Sequence, residues 1–195
     1  ESAPVPAPTD LTVYRTGWAE LPAERADDDL YYTRHLFGAK EGDAEAMRNY
    51  SACYSRRHRC PVWVAAPLHP SYRAEAGRTD RFRFDPTLPV DAQPLLRNSY
   101  GDYTRGHLLG SVERTVTREA NAQTFYASNI APQLGRGFNA ANGAWNNLEI
   151  FVDRQICADT LYVVTGCLFA DYTDAGGRPA EASATHNKND GAAVA

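Results

Sequence analysis

A short segment around His107 with the pattern of a strand is followed by a second strand, a loop and a helix. Residues 105–116 predict the strand and its turn, and residues 124–130 predict the second strand. After a loop over residues 133–138, residues 143–156 place apolar side chains three and four positions apart, as an amphipathic helix does. We therefore predict an α+β fold in which a small ββα unit projects from a larger sheet.

Other segments predict the rest of this layout. Residues 61–68 are β-branched or aromatic between prolines, and residues 159–166 form the clearest strand pattern of the chain. Residues 119–123 predict a helical turn, and residues 44–50 predict a short helix. Residues 69–98 contain four prolines and little periodicity, which predicts a long surface loop.

The chain has 195 residues, the size of one domain, and 43% of them are hydrophobic, enough for an ordinary core. Residues 1–9 alternate proline with small residues, so we predict a disordered tether before a single domain over residues 10–195. No segment approaches the roughly 18 apolar residues that would span a bilayer. The chain begins with Glu1, as a processed product would, and we expect a secreted, periplasmic or surface-anchored protein.

Four cysteines form two pairs that are close in sequence, without the CxxC spacing of a zinc knuckle. Because short separations favour encounter, we predict the disulfides Cys53–Cys60 and Cys157–Cys167. Four reduced, buried thiols are the alternative. If the disulfides form, they indicate an oxidising compartment, in agreement with export.

The charge distribution bears on nucleic-acid binding more than the net charge of −4, which weakly opposes it. All but two of the 20 basic residues are arginines, and many lie between residues 56 and 118. Arginine suits bidentate phosphate contact. A solvated arginine-rich surface is the alternative interpretation.

The pair Arg105 and His107 combines a fixed cation with a base. A histidine with an ordinary pKa of about 6.5 can be neutral at pH 7 and accept a proton from water, while arginine binds phosphate. Asn139 and Asn142, before the predicted helix, could supply an oxygen ligand to a hard metal or cap the helix. This combination suits phosphodiester hydrolysis. The other histidines show no metal spacing and are predicted to lie at the surface or in loops: His35, His58, His69 and His186.

Several ordered motifs between about residues 48 and 170 resemble the DNA/RNA non-specific endonucleases, the ββα-metal nucleases that include secreted bacterial nucleases and the mitochondrial endonuclease G group. The resemblance implies a ββα-metal (His-Me finger) nuclease fold with a central antiparallel sheet and flanking helices. It also implies a nuclease domain that continues past residue 195, and so a truncated or processed chain. The motifs are Arg48-Asn49-Tyr50-Ser51, Pro61-Val62-Trp63-Val64-Ala65, Arg78-Thr79-Asp80-Arg81-Phe82, Arg105-Gly106-His107, Ala120-Asn121-Ala122-Gln123-Thr124-Phe125, Ser128-Asn129-Ile130-Ala131-Pro132-Gln133, Phe138-Asn139, Trp145-Asn146-Asn147-Leu148-Glu149 and Leu161-Tyr162-Val163-Val164-Thr165-Gly166.

The resemblance implies that His107 is the general base and that Mg²⁺, for which Mn²⁺ can substitute, binds the phosphate. The metal ligand is Asn139, with Asn142 as the alternative. Both remain open because the segment between Asn139 and Trp145 is two residues longer than the family pattern. DNA and RNA are the implied substrates, recognised through the phosphate backbone.

The resemblance assigns roles to further residues. Arg105 contacts phosphate, and Arg78 corresponds to an arginine that stabilises the transition state, with Arg81 as its rival. Glu149 orients water on the metal, and Asn129 supports the metal site.

Thr104 stands where the family often has an acid. A threonine there is expected to bind a water molecule, but with a weaker electric field than a carboxylate would provide.

We predict a secreted endonuclease without sugar specificity. The alternative is a non-catalytic extracellular nucleic-acid-binding module on the same fold, which the Asn139 region and Thr104 motivate.

Overall fold

The computed structural model describes residues 20–38, 46–94, 103–169, 172–173 and 179–180, together with Trp18 and Leu96. The tether predicted over residues 1–9 lies outside these residues and stays a prediction. Among the helices of the described residues, none has the length and apolar composition that crossing a membrane requires.

The fold is α+β, and antiparallel pairing dominates its described strands. The described strands are β1 (Leu30–Phe37), β2 (Met47–Ser55), β3 (Cys60–Leu68), β4 (Thr104–His107), β5 (Ile130–Gln133), β6 (Leu161–Gly166), β7 (Tyr172–Thr173) and β8 (Pro179–Ala180). The two α-helices of the described part are α1 (Arg118–Gln123) and α2 (Ala144–Asp153). Short 3₁₀ helices cover Pro70–Tyr72, Val90–Ala92, Ser111–Arg114 and Ala127–Asn129.

The main sheet has the strand order β1-β2-β3-β6. The strands predicted over residues 61–68 and 159–166 are confirmed as β3 and β6. The helix predicted over residues 44–50 is wrong where the chain is described, because residues 47–50 begin β2. Residues 44 and 45 lie outside the described part. Nearly every side chain of β2 is buried, so the strand lacks the alternation of polar and apolar residues that would have revealed it.

The smaller ββα unit combines the β4–β5 ladder with α2. In this ladder Thr104 lies opposite Gln133, and His107 lies opposite Ile130. The helix predicted over residues 143–156 is confirmed as α2. The second strand, predicted over residues 124–130, is wrong in position, because β5 begins only at Ile130. A 3₁₀ helix precedes β5, and the side-chain hydrogen bonds of the buried Asn129 stabilise this helix.

The hydrophobic core packs β2 and β3 against the chain that follows β4. Leu108 and Leu109, directly after His107, are buried in this core. They pack in one cluster with side chains of the sheet: Tyr50, Ala52, Val64, Ala66 and Leu68. The core therefore fixes the position of the segment that carries His107.

A buried arginine ties the sheet to the same region. The fully buried Arg114 guanidinium donates from Nε to Asn49 Oδ1 at 2.7 Å and from Nη2 to the carbonyls of Asn49 at 2.8 Å and Pro67 at 2.6 Å. Burial lowers the pKa of Arg114 to about 10, so the group stays charged at neutral pH. Asn49 also donates to the Ala120 carbonyl at 2.9 Å. These bonds connect β2, β3 and α1 to the 3₁₀ helix Ser111–Arg114.

The four cysteines are thiols, and both predicted disulfides, Cys53–Cys60 and Cys157–Cys167, are wrong. In the β2–β3 register, Cys53 lies opposite Trp63 and Cys60 lies opposite Ser55. The second pair flanks β6, whose six residues place its ends about 17 Å apart, while the Cα atoms of a disulfide lie roughly 4.4–6.8 Å apart. The argument from disulfides to an oxidising compartment therefore has no support.

Of the histidines predicted to lie at the surface or in loops, His35 lies in β1 and is buried, and His58 lies in the turn after β2 but is also buried. His35 Nε2 lies 2.8 Å from Asp85 Oδ2, and both side chains are buried. His58 stacks on Phe169 with ring centroids 4.2 Å apart. Both side chains are thus part of the packing, while His186 lies outside the described residues.

Candidate active site

Most of the site residues predicted from the sequence converge on one open cavity of about 770 Å³. His107 and Arg105 reach it from β4, and Glu149 reaches it from α2. Arg78 and Asn139 reach it from the loops before β4 and α2. A base, two cations, an amide and a carboxylate therefore face the same volume.

His107 ends β4 in a nearly dry environment, with 8% of its surface exposed. Its ring meets Phe125 edge to face at 4.8 Å between centroids, and it meets Phe82 at 5.8 Å. Among the described residues, no group hydrogen-bonds to the buried Nε2 atom of His107. This nitrogen therefore has no hydrogen-bond partner in the described part of the protein.

Burial lowers the pKa of His107 to about 3, and the positive charges of Arg78 and Arg105 act in the same direction. Asp80 opposes the shift. Burial comes first because a charged imidazolium loses its hydration between the aromatic rings. The imidazole is therefore neutral at physiological pH, the form that can accept a proton.

Asn129 holds the backbone directly after His107. The side chain is fully buried, and its Oδ1 accepts from Leu109 N at 2.8 Å. Its Nδ2 donates to the carbonyls of Leu109 at 2.9 Å and Thr124 at 2.7 Å. These contacts stabilise the histidine segment, whereas the predicted support of the metal site by Asn129 stays a prediction.

Arg78 is held at the cavity by two polar partners. Its Nε donates to Asp80 Oδ1 at 2.6 Å, and its Nη1 donates to Ser111 Oγ at 2.8 Å. The guanidinium also lies 4.9 Å from the Phe125 ring. Arg81 is exposed and does not line the cavity, so the geometry favours Arg78 over Arg81. The sequence did not reveal Ser111 as a partner, because 33 residues separate it from Arg78.

Arg105 is positioned by an aromatic ring. Its guanidinium carbon lies 3.7 Å from the centre of the Phe82 ring, and its Nη1 donates to the Leu96 carbonyl at 3.2 Å. Because a guanidinium has five N–H donors, other donors are left for a phosphate. Phe82 thus contacts both Arg105 and the base, His107.

Asn139 and Asn142 have different environments. Asn139 ends an irregular turn, Gly135–Asn139, lines the cavity and donates from Nδ2 to Thr104 Oγ1 at 2.8 Å. Asn142 has a left-handed backbone, with φ of 66°, and exchanges hydrogen bonds with the first turn of α2. It does not line the cavity, so the geometry favours Asn139 as the metal ligand.

The two extra residues before Trp145 are accommodated in a tight turn. Gly143 N donates to the Ala140 carbonyl at 2.8 Å, and a Cβ atom at Gly143 would overlap the backbone of Phe138. Glycine is therefore required where this turn returns to α2. The turn keeps Asn139 at the cavity despite the longer segment.

The α2 helix presents two oxygen-bearing side chains to the cavity. Glu149 is partly buried, and burial raises its pKa. Asn146, three residues earlier and so on the same helix face, also lines the cavity. The sequence reading missed Asn146, although its helical spacing from Glu149 was a signal for it.

The oxygen-bearing side chains of the cavity are of the kind that a hard divalent cation binds. Because Asn139 Nδ2 is bonded to Thr104, Oδ1 is the atom of this amide that can bind a cation. Asn146 and Glu149 add oxygen atoms within the same cavity. No cluster of three or more histidine, cysteine or acidic side chains that could hold a metal occurs among the described residues. Mg²⁺ needs few protein oxygens because it keeps several waters.

Comparison with known proteins places this site in a family context. A model of the DNA/RNA non-specific endonuclease family matches residues 33–192. The chain is 36% identical over 121 residues to a nuclease of Nostoc sp., covering 60% of this chain and 43% of that protein. It is 32% identical over 139 residues to mitochondrial endonuclease G of Homo sapiens, covering 69% of this chain and 46% of that protein.

A solved structure has the same fold. The crystal structure of the EndoG/EndoGI complex, which concerns the mechanism of EndoG inhibition, matches with a TM-score of 0.59 and 28% identity. The match covers 83% of this chain and 64% of that chain. It confirms the predicted ββα-metal nuclease fold. The chain spans less than half the length of the Nostoc and human relatives.

The lowered pKa of His107 makes folding stability depend on pH. An unfolded histidine has a pKa of about 6.5, whereas the folded His107 has a pKa of about 3. The unfolded state therefore takes up a proton as the pH falls below 6.5, and the folded state does not. We expect His107 to lower the free energy of unfolding by about 2 kcal/mol between pH 7 and pH 5.

Urea denaturation at both pH values measures this effect. In His107→Gln, the pH dependence of the free energy of unfolding is expected to decrease by about this much. The control His69→Gln, which replaces a histidine that is only partly buried, is expected to keep the pH dependence of the parent protein. Identical pH dependence in the parent and His107→Gln would contradict a neutral, buried His107.

Proposed function

Because the chain belongs to the DNA/RNA non-specific endonuclease family, we propose that it is an endonuclease that hydrolyses phosphodiester bonds in DNA and RNA. In this proposal His107 is the general base, and Asn139 holds one Mg²⁺ ion. One observation carries the proposal: a neutral histidine, two arginines and an amide oxygen face the same cavity.

The neutral imidazole of His107 is the base in this proposal. It accepts a proton from the water that attacks phosphorus, and the scissile phosphorus–oxygen bond breaks as the new bond forms. A positioned base of this kind accelerates hydrolysis typically ~10²- to 10⁴-fold. Phe82 and Phe125 pack against the imidazole ring and hold it in place at the cavity.

Substrate binding strengthens this base. Arg78 and Arg105 help to keep the pKa of His107 low. A phosphodiester anion that contacts both guanidiniums opposes their positive field, so the pKa of His107 rises when the substrate binds. The weak base of the unbound protein thus gains basicity at the moment when it is needed.

The proposed metal completes the charge balance of the site. Asn139 would hold the ion, and Glu149 and Asn146, which line the same cavity, would orient its waters. When bound, Mg²⁺ or Mn²⁺ neutralises phosphate charge and stabilises the negative charge of the leaving oxygen. Arg78 and Arg105 would contribute the same kind of stabilisation. Arg105 acts from β4, and Arg78 acts from the loop before β4.

The same contacts support cleavage without sequence or sugar specificity. Contacts to phosphate position a nucleic acid but do not read its sequence. In the proposal, the groups that hold the substrate, Arg78 and Arg105, contact phosphate oxygens. DNA and RNA are both expected to be substrates for this reason.

Export is a separate part of the proposal and is supported by sequence alone. The proline-rich composition of residues 1–9 is typical of an exported or tethered protein. The four thiols add no support. The relatives include a nuclease of Nostoc sp. and mitochondrial nucleases, so relatedness does not favour one compartment.

A cleavage assay tests the proposed activity. With Mg²⁺, the protein is expected to nick plasmid DNA and degrade RNA, and EDTA is expected to stop both reactions. His107→Ala should reduce the rate by about 10² or more. Asn139→Ala should also reduce it, while the matched control Asn142→Ala should stay near the parent rate, because Asn142 does not line the cavity.

Three outcomes of this assay would contradict all or part of the proposal. Intact DNA and RNA with the folded parent protein would overturn catalysis. Binding with steep salt dependence but no cleavage would identify the non-catalytic module instead. Loss of activity in Asn142→Ala but not in Asn139→Ala would transfer the metal-binding role to Asn142.

The pair Arg78→Ala and Arg81→Ala tests which arginine stabilises the reaction. Loss of a charged group that stabilises the transition state costs about 10²-fold in rate, and we expect such a loss in kcat for Arg78→Ala. The control, Arg81→Ala, should stay within about twofold because Arg81 is exposed and does not line the cavity. Steady-state kinetics on one oligonucleotide measures both, and the reverse order would assign the role to Arg81.

A further inference from the structure

Thr104 links β4 to the turn that carries Asn139. We propose that Thr104 is a positioning residue that fixes the Asn139 amide with Oδ1 available to the metal and Nδ2 held away from it. This inference deepens the proposed function and rests on Asn139 as the metal ligand. It gives the threonine a specific role at a position where the family often has an acid.

The Thr104 hydroxyl has two hydrogen-bond partners. Its Oγ1 donates to the Gln133 carbonyl at 3.0 Å and accepts from Asn139 Nδ2 at 2.8 Å. The first partner belongs to β5 and the second to the turn Gly135–Asn139. One side chain therefore connects the β-ladder to the proposed metal ligand.

The chemistry of these bonds determines the direction of the amide. A hydroxyl has one proton, and a backbone carbonyl can only accept. Because Thr104 donates its proton to Gln133 O, it can only accept from Asn139. Rotation of the amide by 180° would place Oδ1 against a lone pair of Thr104 Oγ1. The NH₂ group is therefore the one that faces Thr104.

The threonine itself is held on both sides. Gln133 lies opposite Thr104 in the antiparallel β4–β5 ladder, so its carbonyl is a fixed acceptor. The Thr104 methyl group lies close to Gly135, 3.1 Å from where a Cβ would stand on that residue. A β-branched side chain also has few χ1 rotamers. The hydroxyl direction is thus set by the backbone of the ladder.

A carboxylate at this position would act differently. It could accept from Asn139 Nδ2, but in its ionised form it could not donate to Gln133 O. It would also add a negative charge beside the proposed metal site. With threonine, the site depends on the direction of a neutral amide dipole.

The variants Thr104→Val and Thr104→Ser test the hydroxyl at nearly constant shape. We expect Thr104→Val to raise the dissociation constant for Mn²⁺ about tenfold, as loss of a partner of a metal ligand does. Thr104→Ser, which keeps the hydroxyl, should stay within about twofold. Electron paramagnetic resonance of Mn²⁺ added to the protein without nucleic acid measures this binding.

The Asn139 side chain supplies a second readout that needs no metal. In the parent protein, its ¹⁵N amide order parameter is expected to be above about 0.8, and it should fall below about 0.6 in Thr104→Val. A mobile Asn139 amide in the parent protein would overturn the proposal even if Thr104→Val failed to fold.

Two comparisons separate this inference from the proposed function. If Asn139→Ala binds Mn²⁺ as the parent does, the metal-binding role of Asn139 is wrong. If Asn139→Ala loses Mn²⁺ but Thr104→Val binds it normally, the positioning role of Thr104 is wrong and the proposed function stands. Thr104→Val is expected to add no further loss in the Asn139→Ala background, and an additional loss would show that Thr104 acts independently of Asn139.

Discussion

The site depends on a neutral His107 imidazole, which both burial and the positive charges of Arg78 and Arg105 favour. Burial against two phenylalanine rings has the largest effect on its pKa, and the arginines add to it. In the proposed mechanism, this arrangement separates proton acceptance from phosphate binding. The buried ring would accept the proton, and the more exposed guanidiniums would bind the phosphate. Desolvation of one side chain thus allows a base and two cations to share one cavity.

The two halves of the site are built on different supports. The histidine half stands on the β4–β5 ladder, the buried Asn129 and the core below Leu108, and Arg114 ties that region to the main sheet. The proposed metal half, which carries Asn139, stands on a turn outside the sheet. Thr104 joins this turn to the ladder, and Gly143 lets it return to α2. The precision of the metal half therefore depends on a few side-chain contacts.

The sequence predicted the parts of the fold that have a local pattern. The spacing of apolar residues revealed α2, and the β-branched runs revealed β3 and β6. It did not reveal β1 or β2, and in β2 the burial of nearly all side chains removes the alternation. The short sequence separations of the cysteines also predicted the wrong disulfides. Cys157 and Cys167, for example, have the whole of β6 between them. The choices of Arg78 over Arg81 and Asn139 over Asn142 required three-dimensional contacts, since both pairs lie in irregular segments.

The most direct test of the central claim is an NMR titration of the His107 imidazole in the protein without nucleic acid. The ring ¹⁵N shifts report its protonation state across pH 4 to pH 8. A neutral ring throughout this range is the result expected from its burial between Phe82 and Phe125. Titration near the ordinary histidine pKa of about 6.5 would contradict the account, because it would mean that water reaches the ring freely.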